Sequence, residues 1–413
     1  MDKSSATDMA TAAGLNLWHF RGRELLPVVQ GGMGVGISAG RLAGTVASFG
    51  GVGTISSVDL RRLHADLWVK TEHLEGPEAK AVIDAANREA LDREIKRARE
   101  ISGGRGLIAV NVMKALDQYE TYVRQALESG ADALAVGAGL PLDLPDLAKD
   151  FPNVALIPIL SDARGVQLLV RKWEKKGRLP DAIVLEHPRL AGGHLGAAKI
   201  SDLNDRRFDF EVCIPEVLEF FRKSGHNIPL IAAGGISSHE DVRHLQALGA
   251  SAVQLGTAFA VTVESDASLA FKQVLAGAQP EDLVEFTSVA GLPARAVRTP
   301  WLDKYLRLQD RMQKAAHVKP HCTMWFDCLA NCGLRDGHAN WGQFCIDKVL
   351  GHALAGDVRK GLFFRGAGRL PFGNQIRPVQ DLLYWLMGNV APPATATNPA
   401  TVLPIKTAEV QTA

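Results

Sequence analysis

Residues 229–259 read PLIAAGGISSHEDVRHLQALGASAVQLGTAF. Two short apolar runs, Pro229–Ala233 and Ala252–Gly256, each end in a glycine turn, and one helical unit separates them. A strand, a crossover helix and a second strand make the parallel βαβ unit. Gly234 and Gly235 follow the first run, and Gly256 and Thr257 close the second. At such exits, backbone N–H groups and the start of a helix can hold a dianion. In a closed (β/α)8 barrel the loops after the seventh and eighth strands form a recurrent phosphate site, so these four residues are the expected phosphate ligands.

Working upstream, the same alternation repeats. Candidate strands are Leu26–Gln30, Val52–Ser56, Leu107–Val112, Ala133–Gly137, Val154–Leu160 and Ala182–Glu186, which with the opening pair complete a barrel better than a doubly wound sheet. The stretch Ala81–Ile101 carries Val82, Ile83, Ala86, Ala90, Leu91, Ile95 and Ala98 as an apolar stripe among charges and reads as an outer-ring helix. The organisation expected is an N-terminal extension over 1–25, an α/β barrel over 26–277, an appended segment over 278–390 that closes over the barrel, and a mobile tail over 391–413, rich in Ala, Thr and Pro. Asp59–Pro77 and Ala197–Asn227 exceed the minimal repeat and are read as βα-loop insertions, either lids and substrate walls or surface decoration.

The chain has 413 residues, 46 Lys+Arg against 45 Asp+Glu, and no basic block, so nucleic acid and acidic membrane surfaces are excluded as expected partners. No run approaches about 20 uninterrupted apolar residues and the N-terminus lacks a signal-peptide pattern, which points to a cytoplasmic protein without a membrane span. Small molecules are the expected partners, and a homodimer is compatible with the reading.

Reactive groups in such a barrel belong at strand exits. The first exit, Gln30-Gly31-Gly32-Met33, lets backbone approach a flat or anionic ligand. The sixth runs Glu186-His187-Pro188-Arg189-Leu190-Ala191-Gly192-Gly193-His194. Imidazole titrates near neutrality, so both histidines are acid/base candidates, His194 beside two glycines first and His187 second. His187, at the strand end, reads equally as a packed, hydrogen-bonded neighbour of the bound ligand.

Taken in order, Gln30–Met33, Val110-Asn111-Val112-Met113, Ala191–His194, Ala233–Ile236 and Gly256–Phe259 resemble the motifs of nitronate monooxygenases (2-nitropropane dioxygenases) and of FMN-dependent enoyl-acyl-carrier-protein reductases. The resemblance covers Leu26 to Ala260. It implies a TIM barrel holding FMN, with Gln30, Gly31, Gly32, Met33, Asn111, Glu186, His187, Ala191, Gly192 and Gly193 about the cofactor, its phosphate on Gly234, Gly235, Gly256 and Thr257, and His194 facing the reactive side. The implied reaction is oxidation of a nitronate or nitroalkane with O2. An NAD(P)H-dependent reductase of quinones or enoyl thioesters shares most of these motifs, and a non-catalytic phosphate-binding barrel is the reading from another class. The chain departs from the pattern in placing Leu190 where many members carry an acid, in a lead-in one residue longer, and in Ser161-Asp162 where some relatives have lysine. Farther on, Gly361–Leu370 resembles a segment that returns over the flavin, with Arg365 bordering the pocket; a strand and turn that merely pack the last helix are the alternative.

Cys322, Cys328, Cys332 and Cys345 give C-x5-C-x3-C-x12-C, with His317, His321 and His338 nearby. Four soft ligands suit zinc or an iron–sulfur cluster. The spacing is not that of a C-x2-C knuckle, however, and buried cysteine is a common small hydrophobe, so no metal is assigned.

Overall fold

Strands that are covered on both faces tend to be short, apolar and parallel, and eight of them close on themselves here: β1 (Val28–Gln30), β2 (Val52–Ser56), β3 (Leu107–Met113), β4 (Ala133–Gly137), β5 (Ala155–Leu160), β6 (Ile183–Glu186), β7 (Leu230–Ala233) and β8 (Ala252–Leu255). Each pairs in parallel with its neighbours in the chain, and β8 returns to β1. This computed structural model describes residues 4–318, 322–324 and 327–389. The expected tail, and His321, lie outside the described residues.

Every expected strand is present, with Leu26 and Pro27 preceding β1 rather than belonging to it. The two-residue period of a strand sorts its side chains between two cores. Val29, Val52, Leu107, Ala109, Ala133, Ala155, Ile157, Val184, Ile231 and Ala252 fill the barrel. Their alternates, among them Val28, Ile55, Val110, Leu134, Leu156, Leu185, Leu230 and Val253, pack outward with the helices. The inner core also holds Trp18, Phe20 and Leu25, which come from a hairpin of Trp18–Phe20 and Arg23–Leu25. Arg23 bonds Gly106 O ahead of β3, and Arg21 bonds Pro152 O ahead of β5, so the hairpin plugs the end where strands begin.

The long helix runs Pro77–Ser102, with Pro at its first turn and Gly103 as its left-handed C-cap. Its buried stripe includes Ile83, Ala86, Ala90, Leu91, Ile95 and Ala98. Val82 departs from the expected stripe: it is 50% exposed, turned about 100° from Ile83 toward solvent. The second long insertion also resolves differently. Its later part, Phe210–Ser224, is a regular helix between β6 and β7, and only the residues before it form irregular turns, Ile200–Asp202 and Arg206–Phe208.

Beyond the barrel, β9 (Leu283–Thr287) and β10 (Pro293–Val297) pair antiparallel, and β10 also captures Gly193–His194 from the loop after β6. Helix Pro300–Ala315, an irregular strap, helix Ile346–Leu354 and a return segment follow, and Val379–Leu386 is the last helix among the described residues. No described helix is long and apolar enough to cross a membrane.

Candidate active site

At the C-terminal ends of the strands lies a cavity of about 660 Å3, within the ~300–1,000 Å3 usual for small-molecule sites. Gly31, Gly32 and Met33 from the β1 exit, Asn111 from β3, Glu186 from β6, Ala191–His194, Gly234, Gly235, Gly256 and Thr257 all line it. Gln30 and His187 do not. Gln30 is fully buried and completes the weak β1–β2 edge: Thr54 N–H donates to its Oε1 at 2.9 Å, and its Nε2 donates to Thr54 O at 3.1 Å. The carboxamide thus stands in for ladder bonds where only Val29 and Val52 are in register. His187 is buried against the edge of Phe210, and its Nε2 lies 3.3 Å from Asp209. Its carbonyl receives Leu190 and Ala191 N–H, so it shapes the turn that leads to His194.

The glycine loops after β7 and β8 form a cradle. Gly234 and Gly235 have φ of +113° and +75°, conformations that favour glycine, and a Cβ on Gly235 would stand 2.8 Å from Leu190 Cδ1. The return segment lies across both loops. Gly366 N–H donates to Thr257 Oγ1 at 3.0 Å, leaving the hydroxyl proton available to a ligand. Arg365 is buried, and its hydrogen bonds go to backbone oxygens, Leu275 O at 3.0 Å and Gly366 O at 2.9 Å. It also lines the cavity.

His194 sits where the barrel loop meets the appended sheet. Its Nε2 is 3.0 Å from Ser288 Oγ, and its ring leans on Phe364 with centroids 5.7 Å apart. Burial holds the imidazole down to about 4, so it is neutral at ordinary pH. Burial pushes the Glu186 carboxyl the other way, to about 7. Perturbed titratable groups of this kind cluster at functional sites.

Comparison with known proteins agrees with this geometry. The family model for nitronate monooxygenase matches residues 22–386. The chain belongs to the nitronate monooxygenase family. Membership makes it an oxidoreductase. Similar curated relatives are a probable nitronate monooxygenase of Staphylococcus saprophyticus, 24% identical over 299 residues (69% of this chain, 79% of that protein), and one of Bacillus subtilis, 26% identical over 284 residues (67% and 78%). Among solved structures, a nitroalkane oxidase from Streptomyces ansochromogenes superposes with a TM-score of 0.61 at 20% identity, covering 92% of this chain and 98% of its own. FabK from Thermotoga maritima gives 0.58 at 22% identity, covering 93% and 94%. At these identities the structural likenesses speak for the barrel alone.

Within this family member, three features escape a reading of the motifs. Ser288, which holds His194, lies 94 residues downstream and has no local signature. Arg295 is buried in β10; its Nη1 donates to Ala191 O and, at 3.4 Å, to Pro188 O, while Nη2 pairs with Glu285 at 2.5 Å. One signal was present, because an arginine inside the apolar run Pro293–Val297 needs partners that only another element can supply. The third feature is an extension of the cavity past Met113 and Leu116 to Asp59, Arg61, Asn87, Tyr122 and Asp347. Arg62 bridges Asp59 and Asp347 there, the latter at 2.9 Å, and burial together with Asp347 lifts Asp59 to about 7.

Proposed function

We propose that this chain is an FMN-dependent nitronate monooxygenase that oxidises alkyl nitronates of the propionate-3-nitronate type with O2. The observation that carries the reading is a neutral, half-buried His194, held by Ser288 at the wall of a glycine-lined cavity that ends in two phosphate-type loops. The residues fit FMN: Gly31, Gly32 and Met33 offer close backbone approach to a flat ring, and Gly234, Gly235, Gly256 and Thr257 offer N–H and hydroxyl groups to one terminal phosphate. Asn111, Glu186 and Ala191–Gly193 complete the wall. The redox chemistry, electrons taken from the substrate and passed to O2, is what the bound flavin supplies.

The chain's own residues hold the substrate and manage its proton. With Nε2–H donated to Ser288 Oγ, the Nδ1 lone pair of His194 is left to accept a proton from the α-carbon of a nitroalkane. Desolvation keeps that nitrogen neutral beforehand, and the nitronate anion that forms beside it then stabilises the imidazolium. Arg365, a guanidinium bonded to backbone oxygens in the cavity wall, adds positive potential that favours an anionic substrate. A cytoplasmic location belongs to the same reading.

His194→Asn should retain flavin and lose roughly 10²–10⁴-fold in turnover of a neutral nitroalkane, with a smaller loss on the preformed nitronate. Equal loss on both substrates would make His194 a binding group. A second reading, NAD(P)H-dependent reduction of an enoyl thioester or quinone, is favoured by the extension toward Asp59 and Tyr122, which gives room for a longer substrate. Anaerobic mixing with NADH, NADPH and propionate-3-nitronate in turn decides between them: rapid bleaching by the nitronate supports the first, and rapid bleaching by a nicotinamide supports the second. Colourless protein whose Tm does not rise with FMN would overturn both and leave a non-catalytic barrel.

A further inference from the structure

The strap between helix Pro300–Ala315 and helix Ile346–Leu354 has one helical turn, Gly333–Asp336, among its described residues, yet it carries four of the five cysteines. Leu329, Cys332 and Phe344 of this segment pack into the main core, while most of its described residues lack regular structure. None of the four is in a disulfide.

The fold gathers them. Cys328 lies within electrostatic reach of Cys322, Cys332 and Cys345, and Cys345 within reach of Cys322. Backbone contacts pin this arrangement independently. Asp117 N–H donates to Cys328 O at 3.2 Å and Ala330 N–H to Ala115 O at 2.9 Å, fastening the middle of the strap to the β3 exit. Arg335 donates to Leu329 O at 2.8 Å and Ala330 O at 3.1 Å, while its own N–H meets Cys332 Sγ at 3.5 Å. Thr323, next to Cys322, has a buried hydroxyl with no conventional hydrogen-bond partner, and that hydroxyl lies beside the Cys345 thiol. Cys332 and Cys345 directly precede helices Gly333–Asp336 and Ile346–Leu354, and burial raises both thiols above their ordinary value. Cys213 stands apart in helix Phe210–Ser224, and His338 is stacked on Trp341 at 4.3 Å.

We propose that Cys322, Cys328, Cys332 and Cys345 together ligate one soft metal centre, a tetrathiolate zinc ion or an iron–sulfur cluster, that staples the strap to the barrel. Among the described residues no three such groups stand in ligating geometry; metal entry would draw the sulfurs inward as each thiol releases its proton to solvent. The Arg335 guanidinium lies near Cys332 and would offset part of the charge of an anionic centre. Cys328, Asp327 and Leu329 also line the large cavity, so the staple would set one wall of it.

The test is metal and acid-labile sulfide analysis of untagged full-length protein purified anaerobically. The proposal expects about one zinc per chain, or iron with a matching amount of labile sulfide and a visible charge-transfer band. Sulfide and colour beyond that of flavin identify the cluster, and zinc without sulfide identifies the ion. Cys328→Ser and Cys322→Ser should each strip the metal by about tenfold or more, while Cys213→Ser keeps it. Wild-type protein with neither metal and with its strap thiols freely titratable overturns the proposal, as does full metal content in both strap variants. If a strap variant fails to fold, the wild-type analysis decides.

Discussion

The barrel and the segment appended to it are built on opposite principles. In the barrel every strand pairs with its neighbours in the chain, so a local apolar rhythm is enough to place the strands and their order. In the appended segment the decisive contacts are remote: Ser288 reaches His194 across 94 residues, Arg295 reaches Pro188 across 107, and Gly366 reaches Thr257 across 109. The barrel provides a glycine shelf open to a ligand. The appended segment fixes the one imidazole beside it and covers the phosphate-type loops. The candidate reaction centre lies on the seam between them, which places its integrity under the control of the less regular region.

The seam can be broken most directly at Gly192, where a Cβ would run into the Gly366 nitrogen and the Arg365 carbonyl carbon. Both are backbone atoms and cannot rotate away. Gly192→Ala should therefore destabilise by about 1–3 kcal/mol and weaken flavin retention, visible as a lower Tm and fluorescence from released flavin. Wild-type values for both would mean that the return segment is free to shift.

A gentler cut removes only the orienting bond. Ser288→Ala deletes the hydroxyl on His194 Nε2, a contact of about 0.5–1.5 kcal/mol, so kcat/KM for a neutral nitroalkane should fall about 2–10-fold with flavin content unchanged. The same loss on preformed nitronate would show that Ser288 serves binding rather than the proton-accepting ring.

Glu186 tests the barrel side of the seam. Burial raises its carboxyl from 4.5 to about 7, so the folded chain holds this proton more tightly than the unfolded one. Stability from this group is complete below about 4.5 and is lost as pH rises through about 7. Glu186→Gln cannot ionise, and its denaturation midpoint should fall less than that of wild type between those values, both measured without added flavin. Parallel pH profiles would assign the ionisation to another group, Asp59 being the next in line.

The smallest effect belongs to the barrel's outer ring. Val82 lies on the solvent side of its helix, so Val82→Ser should change stability by no more than about 0.5 kcal/mol. A loss of core size there would indicate that this face is covered in solution.

By itself the sequence determined the closed parallel barrel, the two glycine loops after β7 and β8, and His194 as the group to watch, because those features depend on side chains two to four residues apart and on strand exits in chain order. Tertiary structure alone decided that Gln30 and His187 support the wall without facing the cavity, since both find backbone or carboxylate partners that no local pattern reveals. It alone decided that Ser288 and Arg295 hold the Ala191–His194 loop, and that Val82 faces water while Ile83 does not. The physical reason is common to all of these. A periodic pattern reports which face of an element is apolar, but a hydrogen bond between elements, and the pKa shifts that follow from burying its partners, exist only once remote segments have been brought to the same place.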